Sequence, residues 1–295
     1  MHRARWPTAV APHASSVTRV VTRQQIDFLR VVRRLLNSFD MRPLTLASYS
    51  LLSLPLVACM SNSASGTSSS DITASEYDDV AQNVSTSTVS PSGGDVTAMG
   101  NVALLASGTL PLGFTLGADG KVTGSFLGIT YDFSLTCSDG HGTNLPACGS
   151  ATEIADVAVD WGGTVKLPNF STMMDRHGQW SLMDLQDPSV KLAGNGTFSY
   201  DSSISNPNTA VTAAYHFDYE AAYMSVFIDK NTKLATAGEI QYDITATKTV
   251  TDQAVRTFSL SADINFNGDS TATLILDGIH HYKLDLENHV VIKVD

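Results

Sequence analysis

Strict alternation of apolar and polar residues runs through the chain from about residue 129 onward, and it constrains the fold more than any other feature. Ile129, Tyr131, Phe133, Leu135 and Cys137 alternate with Thr130, Asp132, Ser134 and Thr136. Successive side chains of a strand point to opposite faces, so this pattern describes a strand with one buried and one wet face. Val157, Val159 and Trp161 repeat it, as do Val211 to Tyr219 on odd positions and Ile240, Tyr242 and Ile244. Phe258 to Phe266, Ala272 to Leu276, Tyr282 to Leu286 and Val290 to Val294 continue it without a helical break. Turn formers punctuate the pattern at Gly117-Ala118-Asp119-Gly120, Gly194-Asn195-Gly196, Asp229-Lys230-Asn231, Asn267-Gly268-Asp269 and Glu287-Asn288. Short connections make sequence neighbours antiparallel partners. The prediction is a mainly β domain over residues 95–295, an antiparallel meander forming a β-barrel or a β-sandwich. The outward apolar bands and aromatic girdles of a membrane-spanning barrel are not evident.

Ahead of this domain, residues 44–58 are uncharged and rich in Leu, Ala and Ser, and they end in Leu56-Val57-Ala58-Cys59. Fifteen residues make a helix of about 22 Å, short of a hydrocarbon core of about 30 Å. Over residues 41–59 the chain resembles a bacterial lipoprotein signal peptide with its lipobox. The resemblance implies cleavage before Cys59, a diacylglyceryl group on its thiol, and a membrane anchor in the cell envelope. Met60 in place of an Asp after the cysteine leans the location towards the outer membrane. Residues 1–40 carry seven arginines. They read as a mis-called extension before a start at Met41, with a basic amphipathic helix over residues 24–38 as the rival reading.

From Cys59 onward the chain holds ten basic and 27 acidic side chains, a net charge of −17 against −11 for the whole. Such a domain excludes nucleic acid as a partner. Residues 60–94 contain fifteen Ser or Thr among thirty-five, a composition expected to form a flexible tether with, at most, a short helix near residues 71–84. With Cys59 committed to lipid, Cys137 and Cys148 remain as an even pair across a turn-rich loop. A disulfide is predicted there.

The chemistry-bearing residues form no recognisable motif. His280 and His281 are adjacent and would point to opposite faces, and neither a metal-binding His pattern nor a nucleophile elbow is present. No catalytic residue, metal ligand or cofactor is assigned. Asp156, Asp160, Asp175, Asp184 and Asp187 are the least weak candidates for calcium, because hard oxygen ligands are what that ion requires. Trp161 alternates with aliphatics and reads as core, whereas Trp180 reads as an exposed aromatic. An apolar-x-Tyr-acid motif recurs at residues 129–132, 198–201, 217–220 and 240–243, and strand alternation alone accounts for it. These observations support a non-enzymatic, lipid-anchored envelope protein that binds an unknown ligand or envelope protein. A hydrolase of envelope polysaccharide or lipid with an unplaced carboxylate site is one alternative. A β-barrel carrier of an apolar molecule is the other.

Overall fold

The computed structural model describes residues 72–90, 93–118, 120–126, 128–167, 170–205 and 212–294. Two helices, α1 (Ala74–Val89) and α2 (Asp95–Ala106), precede twelve strands. The strands are β1 (Phe114–Leu116), β2 (Lys121–Phe126), β3 (Ile129–Ser138), β4 (Ile154–Leu167), β5 (Phe170–Met183) and β6 (Ser189–Ser205). After them come β7 (Thr212–Asp229), β8 (Ala235–Val250), β9 (Arg256–Phe266), β10 (Thr271–Leu276), β11 (His280–Asp285) and β12 (Val290–Lys293). All belong to one antiparallel sheet in unbroken chain order, with β1 and β12 as its edges. The meander predicted from alternation is what forms, and the sheet is not closed into a barrel.

One face of the sheet is buried throughout. It carries Ile129, Tyr131 and Phe133 on β3, Val157, Val159 and Trp161 on β4, and Phe217, Tyr219 and Tyr223 on β7. Ile240, Tyr242 and Ile244 on β8, Phe258 to Ile264 on β9, and Leu274, Tyr282 and Leu284 continue it. The helices cover this face: α1 lies against β10, β11 and β12, and α2 against β3 and β7. The adjacent Asp78 and Asp79 on α1 reach Lys293 on β12 and Tyr215 on β7, strands that would lie about 24 Å apart in a flat sheet, so the sheet curls around the hairpin. We call the helix-bearing side the inner face.

Composition announced the helices only in part. Residues 60–94, expected as a tether with at most a short helix near residues 71–84, include α1, which runs on to Val89 and is packed against the sheet. Thr73 caps it: its hydroxyl accepts the Glu76 amide at 3.3 Å, and the Glu76 carboxylate accepts the Thr73 amide at 2.9 Å. This reciprocal capping box satisfies two otherwise orphan amides. Tyr77, Val80, Ala81 and Val84 then form a buried stripe at helical spacing. Polar residues of the Ser/Thr run, including Ser87 and Thr88, are buried as well. The α2 segment is apolar on nearly every side, with Val96, Met99, Val102 and Ala103 buried.

The expected turn at Gly194-Asn195-Gly196 is instead the middle of β6, where the ladder shifts between Leu192 and Gly194. A Cβ at Gly194 would strike the Gln179 carbonyl and the Trp180 ring, and one at Gly196 would lie 2.8 Å from the His177 carbonyl oxygen. These glycines serve close strand approach and leave room for the Trp180 indole. Trp180 is accordingly only 2% exposed, which corrects its reading as a surface aromatic. Trp161 is core, as its alternation predicts.

Candidate functional site

Alternation places the second residue set of each strand on the outer face, and the strand register arranges that set in rows. One row runs Asp160, His177, Thr197, Glu220, Asp243 and Ser261 across β4 to β9, each residue directly opposite the next. A neighbouring row runs Asp175, Ser199, Asp218, Thr245 and Ser259. Two shallow depressions lie over these rows, of about 870 and 420 Å³, and both are lined by His177, Thr197 and Glu220.

Histidines bridge carboxylates twice. His177 Nδ1 meets Asp160 at 2.5 Å and its Nε2 lies 3.5 Å from Asp175. His216 Nδ1 meets Asp201 at 2.7 Å and its Nε2 lies 3.3 Å from Asp218. The hydrogen bond that His177 donates to Asp160, aided by Asp175, raises the His177 pKa above the ordinary 6.5. Asp201 and then Asp218 do the same for His216. A cation held between two carboxylates lowers their mutual repulsion, which is why the protonated ring is favoured.

Other like charges face each other without a histidine between them. Glu220 of β7 sits directly opposite Asp243 of β8, and directly opposed carboxylates destabilise a sheet. Among the described residues neither forms an ion pair. Nearby, burial, and then Glu239 and Asp243, raise the Asp263 carboxyl above its usual range. Asp132 opposes Asp160 in the same way, and there Lys121 approaches Asp132 at 3.7 Å.

The inner face holds a different constellation. Arg176 of β5 is 4% exposed and pairs with Asp95, the first residue of α2. Its guanidinium lies over the rings of Phe198 (3.7 Å) and Trp161 (4.9 Å). Tyr242 donates to the other Asp95 oxygen at 2.6 Å and meets the Thr88 hydroxyl at 3.2 Å. Trp161 Nε1 donates to the Gly93 carbonyl at 3.0 Å, in the bend between the helices. Burial pushes the Tyr242 phenol well above its ordinary value and takes Tyr223 up to about 12; Tyr242 accordingly keeps the proton it donates to Asp95. The Trp180 Nε1 and Tyr219 hydroxyl are buried without a hydrogen-bond partner among the described residues.

Cys137 and Cys148 lie at disulfide distance, with Cα atoms 5.3 Å apart. Cys59 and its lipobox fall outside the described residues. The candidate calcium ligands do not converge. Asp160 and Asp175 flank His177, Asp156 lies opposite Ser181, and Asp184 and Asp187 occupy the β5–β6 turn. Among the described residues no group of three or more His, Cys, Asp or Glu side chains is placed to hold a metal ion.

No protein-family model matches this chain, and no curated protein or solved structure proves similar to it. The site therefore stands on its own geometry.

Two sequence signals reach this site: the apolar-x-Tyr-acid motif, and Asp160 and Asp175 of the candidate calcium cluster. The motif's tyrosines 131, 200, 219 and 242 are all buried, while Asp201, Glu220 and Asp243 lie on the outer face. Arg176 and Asp95 carried no comparable signal, because their pairing spans 81 residues.

Proposed function

We propose that this protein is a lipid-anchored bacterial envelope protein, held at the outer membrane through Cys59, whose β domain binds a cationic partner without catalysing a reaction. We read the sheet as an opened barrel: its lumen is taken by the protein's own helices, and its outer face is left for the partner. One observation carries the reading. Glu220 and Asp243 are opposed on adjacent strands in the middle of an open depression of about 870 Å³, beside Asp175, Asp218 and Asp277. Natural sheets break the rule against opposed like charges mainly where function demands it. A partner bearing lysine or arginine would relieve the repulsion and gain charge-assisted hydrogen bonds from carboxylates that the sheet already holds in place.

Calorimetric titration of the protein with a short lysine-rich peptide tests this. Binding should be measurable in low salt, fall at least tenfold when the salt is raised, and fall comparably in the D218N/E220Q/D243N variant. Binding that survives those substitutions, or no binding at low salt, sinks the reading.

A further inference from the structure

The inner face carries an inference of its own, independent of the partner assigned to the outer one. Four of the ten basic side chains beyond Cys59 face the α1–α2 hairpin, and each meets a hairpin carboxylate. Arg176 pairs with Asp95. Lys248 lies 3.4 Å from Asp79, Arg256 lies 3.3 Å from Glu76, and Lys293 lies 3.1 Å from Asp78. Three of these cations also lie over aromatic rings of the same face: Arg176 over Phe198, Lys248 over Tyr215 and Lys293 over Tyr282. Tyrosines then reinforce the same carboxylates. Tyr215 donates to Asp79, Tyr242 to Asp95 at 2.6 Å and Tyr282 to Asp78 at 2.8 Å.

Beside the apolar Tyr77, Val80, Val84, Val96, Met99 and Val102, the hairpin also buries Glu76, Ser85, Ser87, Thr88, Ser90 and Asp95, a mixed interface of the kind that can open within a chain. It is also imperfectly satisfied. Trp180 Nε1 on the sheet and Ser85 Oγ on α1 are buried there without a hydrogen-bond partner among the described residues. Topology permits departure as well. The hairpin precedes β1, and the twelve strands pair in chain order, so no ladder runs through the helices.

We propose that the inner face is a binding surface for a long-chain carboxylate, and that the α1–α2 hairpin is a displaceable plug holding it through its own carboxylates. An aromatic and aliphatic floor fits an alkyl chain, and cations stacked on aromatic rings fit its anionic head. The hairpin offers the same chemistry, acids on an apolar body, at intramolecular concentration, so the intact protein binds such a ligand weakly.

The test loosens the plug in the full chain and uses dodecanoate as the probe. In the D78N/D79N variant, amides of residues 74–89 should exchange hydrogen faster while those of β6 to β8 keep their protection. Dodecanoate should then bind at least tenfold more tightly than to the parent. A neutral dodecyl glycoside should show no such gain, and adding K248Q to the variant should reverse it. Should the double variant lose its β-sheet circular dichroism, E76Q, which removes the charge that pairs with Arg256 while its amide oxygen can still accept the Thr73 capping bond, should give a gain of about threefold in the same direction. Equal dodecanoate affinity in parent and variant overturns the proposal. So does equal gain for the glycoside, or exchange of residues 74–89 only together with β6 to β8. Because the lysine-rich peptide reads the opposite face, either result leaves the outer-face reading standing or falling by itself.

Discussion

The two faces of this sheet use charge in opposite ways. On the inner face a single buried arginine is enclosed by Asp95, Phe198, Trp161 and Tyr242, and its pairing fixes where α2 sits. On the outer face many carboxylates stand in water, and even the bridging histidines are about half exposed (His177 60%, His216 46%). A low-dielectric surrounding strengthens each inner interaction and makes each missing partner costly, whereas solvent screens the outer ones. Inner polar groups therefore act on position and stability, and outer ones on encounter with a partner.

Substitution of Arg176 should separate the faces most sharply. Arg176→Ala leaves Asp95 buried without its countercharge and should cost about 3–5 kcal/mol in denaturant unfolding. A loss below about 1 kcal/mol would place the pair in the same class as the outer salt bridges. Tyr242→Phe removes the hydroxyl bond to the same carboxylate while keeping the ring, and a loss of about 1.5–3 kcal/mol is expected by the same measurement.

The smallest effect belongs to the outer histidines. Their folded pKa values are raised above 6.5 by Asp160 and Asp201. The folded state thus holds these protons more tightly than the unfolded chain does. The resulting stabilisation is full below the ordinary pKa and is lost as pH rises through the raised values. The H177Q/H216Q variant should therefore lose stability relative to the parent at about pH 6 and match it at alkaline pH. At such exposure the difference should stay under about 1 kcal/mol, read as the change in unfolding midpoint. A larger loss, or one that grows with pH, would break the contrast between the faces.

Legibility followed the range of the interaction. The Ile129 to Cys137 alternation was read correctly because strand facing is a period-two local property, and β3 spans Ile129–Ser138. The β1–β2, β7–β8, β9–β10 and β11–β12 turns were legible for the same reason. Gly194 misled, since a glycine serving close approach between strands looks, in sequence, like a glycine serving a turn. Trp180 misled because its burial depends on Gly194 across the sheet. The α1 helix was legible only as a short helix near residues 71–84, because its Ser/Thr-rich composition disfavours helix, although Thr73 and Glu76 spelled its capping box at the right spacing.

The sequence by itself determined an acidic, mainly β meander, which residues would face inward on most strands, and the approach of Cys137 and Cys148 to disulfide distance. Those properties rest on local alternation, net charge and short loops. Only the tertiary structure decided that two helices cover the inner face, that Arg176 meets Asp95, and that Glu220 stands opposite Asp243. Each of these depends on register and packing between segments far apart in the chain, where burial and charge pairing outweigh local propensity.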